Sequence, residues 1–376
     1  MKTGHYPGVN PDLASGVRRP PNIKKEHTMN QSQTTRQSTT EYWVGADVAK
    51  DTFEAALAGP GQKFAATELR TLPHQRFDRS PQGVQAFVQW LENLSTGMPT
   101  RQVRVVMEAT GKYSMELAAW MTALLPTLRP AIVNAYQTAA FIKSLHLRNK
   151  TDALEARALA FYGAERQPAA YEPLTPERAA LRDLCRHRDA LVRQRVTLGN
   201  RTEQQAETAF VRRAQERLNK TFIREIAKTE AQMRRLVEKS EDLKRDIALL
   251  ESIRGVAFLT AAVILAELGD LRRFDRARQV TAFAGLSPRL YQSGSSVMRR
   301  PHMCKCGNSR VRQALYLAAL AAVRGPGDLQ HTYLALVAKG KPRMVALGAI
   351  MRKLLIIMRA LLIHETTYQP HHANCG

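Results

Sequence analysis

Residues 1 to about 40 carry no repeating apolar pattern. They are polar, contain Pro20-Pro21 and runs of Gln, Ser and Thr, and are expected to be disordered. From Tyr42 the texture changes. Tyr42–Val48 and Thr52–Ala58 are short apolar runs closed by Gly59-Pro60-Gly61, which predicts two strands, with a third expected over Lys63–Arg70. Ser80-Pro81 offers a helix start with proline at the first helical position, and Val84, Phe87, Val88 and Leu91 supply an apolar face behind it. Val103–Met107 reads as a compact buried strand ending at Glu108. Helical periodicity returns over Tyr113–Leu125, a short strand is expected at Ala131–Val133, and helix resumes from Ala135. Three strands, helix, strand, helix, strand, helix predicts an α/β fold with one mixed sheet.

Beyond Pro176 the pattern lengthens, with no proline until Pro288. Residues 177 to about 247 are dense in Arg, Glu, Gln and Leu, the composition of long helices, and Leu181, Leu184, Leu191 and Leu198 keep near-heptad spacing. That spacing suits an antiparallel helical hairpin or a dimerising coiled coil. Further on, Gly255-Val256 before an alanine-rich helix resembles half of a helix-hairpin-helix module, where a helix N-terminus offers its amides to phosphate. A plain corner between two helices is the alternative. The most apolar segment, Met344–Ile363, contains Arg352, Lys353 and Arg359. It therefore reads as a buried or groove-lining helix and not as a membrane span. The expected division is a tail over 1–40, an α/β domain over 41–170, a helical (coiled-coil) connector over 171–248, a mostly α C-terminal domain over 249–365 and a tail over 366–376.

Charge changes the picture. The net charge is +23 for 376 residues, and from Arg289 to Arg359 thirteen Lys and Arg face a single Asp. A segment this lopsided is built for a polyanion, and with no membrane span the expected polyanion is nucleic acid. Cys185, Cys304, Cys306 and Cys375 are too few and too scattered for a disulfide framework. The N-terminus lacks the apolar core of a signal peptide, so a cytoplasmic, nucleoid-associated protein is expected, with Met29 an alternative start.

Four acidic residues carry the candidate chemistry. Asp47 sits inside a valine-containing strand, where a carboxylate is costly unless it binds metal or finds donors. Glu108 ends the fourth strand, and ends of neighbouring strands lie about 5 Å apart, close enough to share a site. Asp152 and Glu155 are three residues apart and share one face of a helix. Hard oxygen donors without nearby His or Cys suit Mg²⁺ or Mn²⁺, and such ions can serve phosphoryl transfer. The competing reading of each acid alone is a surface carboxylate or a helix cap, for which Asp152 is well placed after Thr151. His302, Cys304 and Cys306 lack a fourth ligand at zinc-site spacing, so incidental thiols are expected there.

These motifs, with Asn134-Ala135-Tyr136-Gln137 ahead of Lys150-Thr151-Asp152, resemble the DEDD transposases of the bacterial insertion-sequence "one-ten" family from about Tyr42 to Ile363. The resemblance implies a RuvC/RNase H-like N-terminal domain with Asp47, Glu108, Asp152 and Glu155 holding Mg²⁺. At the fourth position the family usually has Asp, and Glu155 keeps the charge while reaching one methylene further. Gly285-Leu286-Ser287-Pro288, Ser293-Gly294 and Lys305-Cys306-Gly307-Asn308 look like the family's second domain, which assigns Ser293 as the nucleophile that joins DNA through a phosphoserine link. Ser287, Ser295 and Ser296 stand nearby. Lys150, Arg289, Arg299, Arg300, Lys305, Arg310 and Arg312 are the expected nucleic-acid contacts. The implied partners are donor and target DNA, a structured non-coding guide (bridge) RNA, and further copies of the chain in a dimer or tetramer, the serine of one protomer meeting the acids of another. A metal-dependent junction endonuclease that uses water, or an inactive nucleic-acid-binding remnant, are the alternatives.

Overall fold

The computed structural model describes residues 41–60, 66–94, 103–147, 149–204, 208–293 and 297–369; Met29, the 1–40 tail, Gly294, Ser295, Ser296 and Cys375 lie outside them. The N-terminal half runs β1 (Tyr42–Val48), β2 (Thr52–Ala58), α1 (Ala66–Leu69), β3 (His74–Asp78), α2 (Pro81–Leu94), β4 (Val103–Glu108), α3 (Lys112–Leu124), β5 (Ala131–Val133), α4 (Ala135–Ser144) and α5 (Asp152–Arg166). Its strands form one mixed sheet in the order β3-β2-β1-β4-β5. β1 is antiparallel to β2 and parallel to β4, while β3 and β5 flank them antiparallel and parallel respectively.

The period of two along β1 sorts the layers. Val44, Ala46 and Val48 face one way, joining Phe53, Val105 and Met107 over a core that includes Phe87 of α2 and Leu117 and Met121 of α3. Trp43 faces the other way, into a cluster with Leu159 and Phe161 of α5. Gly45 lies on that second face, and a Cβ there would stand 2.0 Å from the Ala156 carbonyl oxygen and 2.2 Å from the Ala160 nitrogen. The backbone of α5 thus rests directly on β1, and Asp47, two residues further, emerges beside the first turn of that helix.

The third strand differs from expectation. The strand predicted over Lys63–Arg70 is instead helical at Ala66–Leu69, and Leu69 and Leu72 drop into the cluster beneath α5. The strand forms later, at His74–Asp78, where only Phe77 is buried. An edge strand of this kind pairs on one side only and tolerates polar residues, so its apolar signal is faint.

The second half is almost entirely helical: α6 (Pro176–Gln204), α7 (Ala209–Glu238), α8 (Glu241–Glu251), α9 (Phe258–Leu268), α10 (Ala277–Phe283), the hairpin β6 (Pro288–Ser293) and β7 (Val297–Met303), α11 (Ser309–Ala322), α12 (Asp328–Ala338) and α13 (Arg343–His364). α6 and α7 form an antiparallel hairpin clasped by Arg188 Nε on Glu230 Oε1 at 2.6 Å. Leu181 enters the C-terminal core and Leu184 packs against it, whereas Leu191 and Leu198 are half-buried. α13 is the expected buried helix, with Ile350, Leu354, Leu355 and Met358 inside. No helix among the described residues is long and apolar enough to cross a membrane.

The turn at Gly255 is a packed corner. Gly255 has φ +89°, and a Cβ on it would lie 2.6 Å from the Ala322 nitrogen and 2.7 Å from the Ala318 oxygen. The close approach of α11 accounts for this glycine without a phosphate. Deep in the same half, Asp246 of α8 is fully buried between Arg178 (2.7 Å) and Arg272 (2.7 Å).

Candidate active site

Asp47 and Glu108 come together through register. β1 and β4 are parallel and Ala46 lies opposite Met107, so the next residue of each strand, Asp47 and Glu108, emerges at the same end of the sheet. α5 brings the other pair. Its N-cap is Thr151, whose hydroxyl accepts from the Leu154 amide at 3.3 Å. That leaves Asp152 exposed and uncommitted to capping at the first helical position, with Glu155 one turn on. Negative charge is favoured at this helix end by the unsatisfied amides and the helix dipole.

The four carboxylates interact electrostatically. Burial, then the charges of Glu155, Asp152 and Glu108, push the Asp47 carboxyl from its ordinary 3.8 to about 6, against a hydrogen bond from the Val48 backbone that lowers it. Glu155 is the strongest of the charged neighbours, so its additional methylene still delivers its charge to the site. Among the described residues, no three His, Cys, Asp or Glu side chains form a ready-made ion cage. Cations from the protein stand at the rim. Lys150 Nζ lies 3.0 Å from Glu155 Oε1, and its ammonium is raised by that hydrogen bond and by the Glu155 charge. Arg76 holds Glu54 at 2.9 Å and reaches Asp152 at 3.6 Å. An all-oxygen acidic donor set with a raised carboxyl at its centre fits a hard divalent cation, which the protein's two rim cations replace only partly.

Three residues of this site escaped the sequence reading. Glu54 is the cross-strand partner of Asp47, and Arg76 the cross-strand partner of Glu54, so strand pairing alone brings both in. Thr138 on α4 is fully buried and donates its hydroxyl to Glu108 Oε2 at 2.8 Å. The signal for Thr138 was its position in the turn following Asn134, one residue beyond the motif already noted.

The other expected residues lie on or near the β6–β7 hairpin. Ser293 ends β6 and pairs with Val297, at the tip of the hairpin, and Arg299 and Arg300 lie on β7. Arg289 and Lys305 are exposed. Arg312 is turned inward, donating to the carbonyls of Gly307 at 2.6 Å and Ala284 at 3.3 Å. Arg310 faces Asp189 of α6 at 3.6 Å. Cys304 and Cys306 stand with their sulfurs 2.7 Å apart. The Cys304 thiol is lowered by the hydrogen bonds from Cys306. Asn308 caps α11 and donates to Glu267 Oε2 at 2.7 Å, where Arg186 also binds both carboxylate oxygens. The hairpin's root is fastened to the acidic domain, because Asn134 Nδ2 donates to the Cys306 carbonyl at 2.9 Å.

Carboxylates gathered at strand and helix ends, joined to a strongly basic helical half, are the equipment of an enzyme that processes nucleic-acid phosphodiesters. Comparison with known proteins narrows the class. Residues 44–211 match the DEDD family of IS110 transposases, and residues 247–334 match a family described as "Transposase IS116/IS110/IS902 family". The chain is 29% identical to the pilin gene-inverting protein of Moraxella bovis over 85% of its own length and 95% of that protein. It is 26% identical to the transposase for insertion sequence element IS1111A of Coxiella burnetii over 96% of this chain and 99% of that one. The chain belongs to the IS110/IS116 family of insertion-sequence transposases, and it is a DNA transposase/recombinase.

Proposed function

We propose that the α/β half is a RuvC/RNase H-like nuclease domain, and that the protein cuts and rejoins insertion-sequence DNA through Ser293. The observation that carries this is the gathering of Glu108, Asp152 and Glu155 around Asp47, whose carboxyl is raised to about 6 by burial and then by their charges. Such crowding of like charge is unfavourable in the resting protein and is kept for a cation that the substrate step needs. Asp47, Glu108, Asp152 and Glu155 would hold Mg²⁺, with Mn²⁺ as a substitute, and the ion would supply charge stabilisation to the phosphate oxygens.

The chain's own residues do the rest. The Ser293 hydroxyl oxygen bonds to phosphorus, its proton leaves to solvent, and the displaced deoxyribose oxygen departs as a free hydroxyl. A phosphodiester is exchanged for a phosphoserine, nothing is hydrolysed, and attack by a second DNA hydroxyl restores both serine and backbone. Arg289, Arg299, Arg300 and Lys305, around the hairpin, neutralise phosphate; Arg310 and Arg312 help to anchor its root. Lys150 leaves Glu155 to meet the DNA backbone. Guide RNA selects the sites, and a second protomer brings its hairpin to the acids, with the α6–α7 hairpin spanning the distance. The protein works in the bacterial cytoplasm on the nucleoid.

The test is a covalent-adduct assay with purified protein, RNA transcribed from the flanking region, donor and target DNA, and Mg²⁺. A denaturant-resistant protein–DNA species lost in both Ser293→Ala and Asp47→Ala is expected. Cleavage that leaves no adduct and survives Ser293→Ala would replace this reading with a water-using endonuclease. RNA binding without any reaction would make the chain an inactive remnant.

A further inference from the structure

We infer that Thr138 is a positioning residue for Glu108, and that Asn134 couples this role to the seating of the loop at the root of the Ser293 hairpin. The inference rests on the reading of Glu108 as a metal ligand and adds a device that controls it.

Asn134 uses both ends of its amide. The oxygen accepts from the Tyr136 amide at 2.9 Å and caps α4, while the nitrogen donates to the Cys306 carbonyl at 2.9 Å across a separation of 172 residues. The cap is an ordinary helix start, for which Ser would serve as well. The second bond is not ordinary, because it fastens the acidic domain to the loop that joins β7 to α11. That loop is itself held firmly: Lys305 has φ +58°, and a Cβ on Gly307 would lie 2.2 Å from the Phe283 oxygen. A shift of this loop relative to the sheet therefore pulls on the first residue of the α4 cap.

Thr138 lies in the turn after that cap and has a relative exposure of 0%. Its single hydroxyl proton has two acceptors in range, Glu108 Oε2 at 2.8 Å and its own helix at Ala135 O at 3.1 Å. The helix carbonyl is the default partner for a threonine in a helix. Both acceptors are already in range, so rotation of the hydroxyl exchanges one for the other, and a shift of α4 biases the choice. With the hydroxyl donating to Oε2, one Glu108 oxygen is pinned to α4 and the other is left for the acidic site. With the hydroxyl donating to the Ala135 carbonyl, Glu108 is free to swing in the field of three other carboxylates. Outer residues that orient a ligating carboxylate typically change metal affinity by about 10- to 100-fold when removed.

The test measures Mn²⁺ binding to the full chain by electron paramagnetic resonance, with Tm recorded alongside. Thr138→Val, which keeps the shape and removes the proton, is expected to weaken Mn²⁺ binding by about 10-fold, with Thr138→Ser restoring it. Asn134→Ser, which keeps the cap and loses the reach to Cys306, is expected to weaken it several-fold and to speed deuterium uptake over residues 304–308. Thr138→Val binding Mn²⁺ as the unaltered protein does would overturn the positioning role. Asn134→Ser with faster uptake but unaltered Mn²⁺ affinity would overturn the coupling. Asp47→Ala separates the two levels. If it too leaves Mn²⁺ binding intact, the acidic cluster is not the metal site, and the underlying reading fails with it.

Discussion

Two partly buried carboxylates, one in each half, are treated in opposite ways. Glu267 of α9 is pushed up by burial, but Arg186 on both its oxygens and Asn308 on one outweigh this and leave its carboxyl below the ordinary range. Asp246 receives the same care from Arg178 and Arg272. Asp47 has no such guanidinium among the described residues, and burial and then the three neighbouring acids raise it to about 6. Charge used to hold the helical half together comes with a dedicated partner. Asp47, the carboxylate proposed for chemistry, is left without one. On the proposed reading, the difference separates scaffold from site.

The comparison breaks first at Asp47. Asp47→Ala is expected to lower adduct formation by at least about 10³-fold while the fold survives, measured by gel assay and circular dichroism. Equal losses of activity and Tm would mean that Asp47 is structural. Next comes Asp246→Ala, which leaves the buried Arg178 and the half-buried Arg272 facing each other and should cost about 3–5 kcal/mol in denaturant unfolding. A loss below about 1 kcal/mol would remove the contrast with Asp47. Gly45→Ala probes the link between packing and site. Its Cβ would meet the α5 backbone at 2.0 Å, so about 3 kcal/mol of stability should be lost together with activity. Loss of activity alone would show that α5 can shift without unfolding.

The smallest effect is the sharpest. In metal-free buffer Asp47, raised when folded, destabilises the protein progressively as pH rises from 3.8 to about 6, and the loss is complete above that. Asp47→Asn should therefore raise stability by about 1 kcal/mol at pH 7 after solvent screening, and by nothing at pH 3.5. Glu267, lowered when folded, contributes stability that is complete above its ordinary 4.5 and is lost as pH falls through its folded value. Glu267→Gln should flatten the acid limb of the Tm profile and lower Tm at pH 7. Slopes of the same sign for the two variants would contradict the comparison.

Much of the α/β half was legible because its signals are local. β1, β2 and β5 lie at their expected positions, and α2 begins at Pro81 as Ser80-Pro81 predicts. Leu181 and Leu184 pack where their spacing places them, on an antiparallel hairpin. β3 was misplaced because its edge position needs only Phe77 to be apolar. Gly255 resembled a phosphate-binding turn locally, yet the backbone of α11 is what requires a glycine there. Arg312 was read as a nucleic-acid contact from charge and helical spacing, and nothing local reveals that it turns inward to Gly307 and Ala284.

The sequence by itself determined the strongly basic character, the α/β-then-helical order and the four acids, because periodicity and charge are properties of neighbours along the chain. Only the tertiary structure decided that Glu54, Arg76 and Thr138 join those acids. Their places depend on strand register and on where a helix lands, and residues brought together across tens of positions leave no mark on the segments between them. The same holds for the bond from Asn134 to Cys306: each end lies in a motif noted in the sequence, but nothing along the chain joins the two until the fold sets them 2.9 Å apart.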